Sequence, residues 1–451
     1  MLYLDFRSGK RDMEKINIIG GGLAGVEASW QVLKRGGRVR LYEMKPVQFS
    51  KAHKKDYLAE LVCSNSFKSK LLSNASGLLK EEMKLFGSLV MESGERFQVP
   101  AGEALAVDRD KFSAYITERL CADANLELVR EEVKELPDGI VIIATGPLTS
   151  QGLSEEIERI TGKERLYFYD AIAPIVYADS INLEIGFKQS RWERGGDDYI
   201  NCPMSEDEYE RFYQELLEAD TVQLREFEEL KYFEGCVPIE ELARRGKDTM
   251  RYGPLKPVGL KEPKTGKEPF AVVQLRQEDI SGELYGLVGF QTKLKYPEQE
   301  RIFRMIPGLE NAEFARLGSM HRNTYIDSPR LLNPDLSLKN FPNMFFAGQI
   351  TGVEGYLESS ACGIMAGIYA LARAKGISLP LIPKETAIGS LVWYVSSPKT
   401  EEFVPMNINW GLFPGLEGKF KKKDKRALLA KRALEKAKEY VDKLDEILKL
   451  N

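Results

Sequence analysis

The chain has 451 residues, of which 43% are hydrophobic and 29% charged, and a formal net charge of −4. That length exceeds one ordinary core and calls for two or three structural units, while the mildly acidic balance leaves a polyanionic partner only a local basic patch to bind. Two histidines and five scattered cysteines with no Cys-x-x-Cys pair exclude a histidine-rich metal site, a zinc cluster and a disulfide framework.

No apolar run is long enough to span a membrane, and the first residues lack the apolar core of a secretory signal, so a cytoplasmic protein without a membrane partner is expected. Residues 1–12 read as an extension without pattern. Ile16–Ile19 then reads as a strand, Gly20 to Gly25 as a glycine turn, the following residues as a helix, and Arg38 to Glu43 as a second strand. Gly20, Gly22 and Gly25 stand at the three glycine positions of a dinucleotide fingerprint. The first permits the tight turn, the second lets backbone approach a pyrophosphate, and the third lets helix pack on strand. Leu23 and Ala24 open the helix, whose N-terminus offers free N–H groups to phosphates, and Glu43 stands where a ribose hydroxyl is held.

Lys45, Lys51, His53, Lys54 and Lys55 form a basic run, read as a solvated loop face, followed by the turn-rich stretch Leu61-Val62-Cys63-Ser64-Asn65-Ser66. Phe112, Tyr115, Ile116 and Leu120 recur at helical spacing, and Leu126–Val129 alternates as a strand does. Gly139 to Pro147 is an apolar run ending in Ala-Thr-Gly, which puts Thr145 and Gly146 at the carboxyl end of a buried strand, where doubly wound sheets bind ligands. Between about residues 161 and 314 the pattern changes to shorter strands and long polar helices. Ser205 and Glu208 there form a capping box, and Arg244, Arg245, Lys247 and Arg251 thread a region rich in Gly and Pro. Asn343 to Gly348 is a third strand ending in glycine, followed by Gln349, Gly352 and Tyr356. A nicotinamide dehydrogenase needs one amino-terminal fingerprint, whereas a far carboxyl-terminal glycine turn of this kind is what closes the flavin side of FAD proteins. Residues 421–451 read as a charged terminal helix, by default a solvated one.

Taken together, Gly20–Gly25, Leu61–Ser66, Gly235-Cys236-Val237-Pro238-Ile239-Glu240, Met320-His321-Arg322-Asn323-Thr324-Tyr325 and Gly348–Tyr356 resemble the folate- and FAD-dependent tRNA (uracil-5-)-methyltransferases, from about Lys15 to Trp410. The resemblance implies an α/β fold: a Rossmann-like FAD-binding domain of the glutathione-reductase-like flavoprotein type (13–160 and 315–420), with a smaller α+β domain inserted (161–314). It implies methylation of the T-loop uridine of tRNA, uridine 54, with carbon from methylenetetrahydrofolate, electrons through reduced FAD, and NAD(P)H as reductant. The partners are then tRNA and folate. The family's two cysteines fall on Cys63 and Cys236, with Cys236 as the nucleophile and Cys63 as the second thiol.

The residue chemistry agrees with that assignment. Carbon 5 of uracil is a poor nucleophile until a thiolate adds to carbon 6, so a cysteine is required. Burial as a small hydrophobe is the alternative fate of each cysteine, and the one expected for Cys121, Cys202 and Cys362. His321, Arg322, Asn323 and Tyr356 are candidates for the folate pocket. Arg244, Arg245 and Lys54 are candidates for gripping phosphates. One departure stands out: many FAD proteins carry Asp where this chain has Gln349. Two other readings stay open, a flavin oxidoreductase of a small metabolite, which would need a second nucleotide fingerprint, and a non-catalytic tRNA-binding flavoprotein.

Overall fold

The strand Ile16–Ile19 is buried at every position and runs parallel between Val39–Tyr42 and Val141–Ile143 in a computed structural model that describes residues 14–162, 166–193, 196–222, 237–398 and 403–449. A strand covered on both faces has no solvent side, which is why its sequence is almost continuously apolar rather than alternating. Leu126–Val129 extends the sheet beyond Val39–Tyr42, and Phe341–Phe346 extends it, still parallel, beyond Val141–Ile143. Ser337–Leu338 closes that edge antiparallel. The strands ending at Ile19, Ile143 and Phe346 are therefore neighbours pointing the same way. Their three glycine turns meet at one end of the sheet.

Two helices cover one face of these strands and touch through their backbones. The helix Leu23–Leu33 leaves the first glycine turn, and Tyr356–Ala374 leaves the last. A Cβ at Gly363 would collide with the Ala24 carbonyl oxygen, and one at Gly367 would lie 2.5 Å from the Ala28 carbonyl oxygen. The small residues of Tyr356–Ala374 are thus a packing requirement.

A second, separate core lies under an antiparallel six-stranded sheet. Its strand order is Phe187–Lys188, Tyr199–Met204, Ala271–Gln277, Leu284–Leu287, Ile175–Tyr177 and Phe314–Arg316. The helix Glu206–Glu218 begins at the Ser205–Glu208 capping box and buries Tyr209, Phe212 and Leu216 in this core. The antiparallel pair Leu166–Ile172 and Ser319–Tyr325 lies where the chain passes into and out of this sheet.

The terminal helix Lys425–Lys449 corrects the expectation of a solvated element. Its basic start is exposed, but Leu429, Ala433, Tyr440, Leu444 and Leu448 are buried, and the helix packs on Ala75–Leu85. The apolar residues recur every three or four positions, so one face joins the first core while the charges stay in water. No helix among the described residues is long and apolar enough to cross a membrane.

Two predictions follow from this packing. Gly367→Val puts side-chain atoms into the helix–helix contact and is expected to cost about 1–3 kcal/mol in urea unfolding. Glu82 accepts the N–H groups of Ala387 (2.7 Å) and Ile388 (2.9 Å), and burial, outweighing those two bonds, pushes its carboxyl up to about 8 from 4.5. Because the unfolded chain ionises first, stability drains away as pH rises from 4.5 toward 8. The melting temperature of Glu82→Gln should therefore fall less across that window than that of the unmodified chain.

Candidate cofactor and substrate site

Each fingerprint glycine meets a different physical demand. Gly20 has φ +102°, and a Cβ there would lie 2.7 Å from the Ala144 carbonyl oxygen. Gly25 has no room for a Cβ against the Gly20 carbonyl oxygen, whereas a Cβ at Gly22 would meet nothing within 4 Å. The open position has room for a pyrophosphate, next to a helix whose N-cap, Gly22, has no side-chain cap and whose first turn carries no acid. Glu43 is fixed at both oxygens, accepting from Gly21 N–H (3.0 Å) and Lys45 N–H (3.0 Å).

Gly20, Gly22, Leu23, Ala24, Glu43, Thr145, Gly146, Gln349 and Tyr356 all line one cleft of about 1070 Å³. Gly25 sits behind it as the helix–strand contact. Gly348 (φ +82°) and Gly352 (φ +84°) shape the last turn, with the Phe403 ring packed against Gly352. Gln349 donates through Nε2 to Glu354 (2.7 Å). The cradle therefore fits a dinucleotide laid across three neighbouring strand ends, as FAD would be. His53, Lys45 and Glu60, which the sequence reading did not assign to a cofactor, also line the cleft.

Cys63 follows Val62, which lines this cleft, on a loop whose peptide groups are almost all tied down. Tyr356 Oη accepts from the N–H groups of Cys63 (2.8 Å) and Ser64 (3.2 Å). Arg109 donates to the carbonyls of Leu61 (3.0 Å) and Cys63 (3.3 Å), and Arg316 to those of Val62 (3.0 Å) and Cys63 (3.2 Å). Arg276 donates to Asn65 Oδ1 (2.9 Å) and Ser64 Oγ (2.9 Å). Glu278 pairs closely with Arg109 (2.7 Å) and lies 3.7 Å from Arg276. Burial, then the Arg109 charge, pulls the Arg316 guanidinium down to about 10, still a cation at neutral pH. Burial, then the Cys63 charge, raises the Tyr356 phenol above its ordinary value, so its oxygen stays protonated. None of these three arginines carries a sequence signal, because each is an ordinary charge until the two sheets meet.

The other cysteines divide cleanly. Cys202 and Cys362 are buried, which pushes both thiols up to about 12, and Cys121 is exposed at the end of a helix rather than packed in a core. Cys236 lies outside the described residues. The chain just after it is anchored: Ile239 N–H donates to the Gln291 carbonyl (2.7 Å), and the buried Glu240 accepts from Lys293 N–H (2.7 Å) and Thr292 Oγ1 (2.9 Å). Gln291 in turn lines a small cavity together with Cys63 and the three arginines.

The remaining candidates are spread around this centre. His321, Arg322 and Asn323 lie on Ser319–Tyr325, which packs against the turns after Ile143 and Gly348, and Asn323 is buried. Lys54 lines a wide hollow beside the cleft. Arg244 is engaged with Glu241 (2.7 Å), on the same short helix, and Arg245 follows at that helix's end; neither is among the residues lining the cleft.

Comparison with known proteins bears on this arrangement. The sequence model of the family described as Glucose inhibited division protein A matches residues 15–378. Methylenetetrahydrofolate--tRNA-(uracil-5-)-methyltransferase TrmFO of Geobacter sulfurreducens is 58% identical over 421 residues, which are 93% of this chain and 97% of that protein. The protein of the same name from Caldicellulosiruptor bescii is 56% identical over 436 residues, 96% of this chain and 100% of its own length. Among solved structures, Aquifex aeolicus GidA in its form I crystal matches with a TM-score of 0.71 at 18% identity, covering 97% of this chain and 78% of that one, a likeness of fold. The fold is an FAD-binding, Rossmann-type α/β fold, and the chain belongs to the GidA family and, within it, to the methylenetetrahydrofolate–tRNA-(uracil-5-)-methyltransferases.

Proposed function

We propose that this chain methylates carbon 5 of a tRNA uridine, uridine 54 of the T-loop. Methylenetetrahydrofolate is the carbon donor, FAD the bound redox cofactor, NAD(P)H the source of electrons and the cytoplasm the location. The observation that carries the reading is the hydrogen bonding of Tyr356, which lines the cofactor cleft, to the backbone of Cys63. That contact ties a thiol-bearing loop to the cleft where the electrons arrive. FAD, when bound, supplies the two electrons that take a one-carbon unit from the formaldehyde level to methyl.

In this reading the Cys236 thiolate adds to carbon 6 of uracil, and carbon 5, now part of an enolate, bonds to the one-carbon unit. Carbon 5 then gives up its proton as the bond from the one-carbon unit to its donor nitrogen breaks, which leaves an exocyclic methylene. A hydride, the two electrons that bound FAD would supply, adds to that carbon to complete the methyl group, and the Cys236 thiolate leaves as the 5,6 double bond re-forms. Cys63 is our candidate to receive that proton. The shared cavity of Cys63 and Gln291, the latter bonded to Ile239 three residues beyond Cys236, supports the assignment of both thiols to one base. Arg109, Arg276 and Arg316 hold the Cys63 loop and leave a net positive charge beside it, a setting suited to an enolate. We assign cofactor binding to residues 13–160 and 315–420 and place much of the substrate side on 161–314. Residues 1–12 and the charged helix within 421–451 have no assigned part in the chemistry.

The direct test is incubation with unmodified tRNA, labelled methylenetetrahydrofolate and NAD(P)H, followed by nucleoside mass analysis. One labelled methyl group on uridine 54 is the expected product, and consumption of NAD(P)H with no change in the RNA contradicts the proposal. Cys236→Ala should abolish the product while retaining FAD, and Cys63→Ala should slow turnover about 100-fold or more. Tyr356→Phe removes the acceptor of two N–H groups, each worth about 1–3 kcal/mol when left unpaired. It is expected to lower kcat by about tenfold or more with the flavin spectrum still present.

A further inference from the structure

Beside the cofactor cleft lies a wider hollow of about 2600 Å³, which shares Met44, Val62 and Pro147–Ser150 with it. Its walls come from distant parts of the chain. The loop after Glu43 contributes Phe49, Lys51 and Lys54, and the side of the second core contributes Lys293, Lys295 and Tyr296. The described lining residues include no Asp or Glu.

Two rings are left in water here. Phe49 is 43% exposed and Tyr296 is 58% exposed, although each offers a large area that burial would favour. Both stand on locally fixed backbone. Tyr296 opens the helix Tyr296–Phe303, with Pro297 next in line and Lys295 N–H bonded to the Asp220 carbonyl (3.0 Å). Phe49 precedes Ser50, whose Oγ is 2.6 Å from His53 Nδ1 and accepts from Ala52 N–H (3.3 Å). Rings held out on ordered backbone lose little freedom when a partner covers them.

The partner must suit both features of the hollow. An apolar protein surface would use the rings but leave the lysines to be desolvated, and a small anion would use the lysines but not the rings. Unpaired RNA uses both, because its bases stack on aromatic faces while its phosphates meet cations. We propose that Phe49 and Tyr296 are stacking platforms for unpaired bases of the RNA substrate. They hold the nucleotides flanking the target base, while Lys51, Lys54 and Lys295 neutralise the neighbouring phosphates. Lys295 already bonds Asp220 (3.0 Å), but that pair is exposed and weak enough to be exchanged for a phosphate. The shared lining lets an extruded base pass from the hollow to the cofactor cleft without leaving the protein. The proposal rests on the tRNA reading above and adds to it the residues that grip the RNA.

The test is equilibrium binding of the FAD-loaded enzyme, without folate, to an unmodified tRNA transcript over a range of salt concentrations. Phe49→Ala and Tyr296→Ala should each weaken binding about 5- to 100-fold and leave the slope of log K against log salt unchanged. Lys51→Gln and Lys54→Gln should each lower the magnitude of that slope by about 0.7–0.9. Phe49→Tyr and Tyr296→Phe keep a ring and should bind like the unmodified enzyme, which separates stacking from misfolding. Wild-type affinity in both alanine variants overturns the proposal while leaving the methyltransferase reading in place. An equal loss in the ring-retaining variants, or loss accompanied by dissociation of an oligomer, also overturns it, and the latter would make this face a contact between copies of the chain. Failure of the unmodified enzyme to bind tRNA at all would sink both readings.

Discussion

The contact on which the rest depends is between two helices with no side chains separating them. Gly363 and Gly367 let Tyr356–Ala374 lie directly on the backbone of Leu23–Leu33, and Gly25 lets that helix lie on the first strand. Each helix leaves a glycine turn, so this close approach fixes where the two turns stand relative to each other. With Val141–Ile143 between the two parent strands, three backbone turns share one cleft. A bulkier residue at either helical glycine would force the helices apart and open the cradle before any functional side chain was touched.

From that cradle outward, the site is assembled by groups that belong to neither half alone. Tyr356, at the start of the second helix, takes the amides of the Cys63 loop and Arg109 two of its carbonyls, while Arg276 and Arg316 reach the same loop from the antiparallel sheet. Asn65 completes the tie through Nδ2, which donates to the Gln277 carbonyl (2.9 Å). Two arginines share one carboxylate, and no ion pair to Arg316 is found among the described residues. The Cys63 loop is thus a seam between cofactor-binding and substrate-facing parts, rigid on one side and electropositive on the other.

What could be read directly from the chain was the part that backbone geometry dictates. Gly20, Gly22 and Gly25 were legible because a tight turn, a close approach and a helix–strand contact each demand glycine, and the apolar runs were legible because strands buried on both faces have no alternation to show. The capping box at Ser205 was equally local. Arg109, Arg276 and Arg316 were not legible, since their meaning arises only when strands far apart in sequence come together. Phe49 and Tyr296 are invisible for the same reason, as an aromatic in sequence does not reveal whether it will be buried. The terminal helix was misjudged because its charges outnumber its apolar residues, although the latter fall on one stripe. Tyr356 could be named as a candidate from its place after the third glycine turn, but its bonds to the Cys63 loop depend on tertiary contact.

The central claim is that the Cys236 thiolate adds to carbon 6 of the target uracil. It is tested most directly with T-loop RNA carrying 5-fluorouridine at the target position, where carbon 5 has no proton to release and the thiol adduct cannot resolve. The account predicts a covalent protein–RNA complex formed with FAD, reductant and methylenetetrahydrofolate, and peptide mass analysis that places the linkage on Cys236. Methyl transfer to normal RNA without any adduct on the fluorinated one, or an adduct on a different residue, would contradict it.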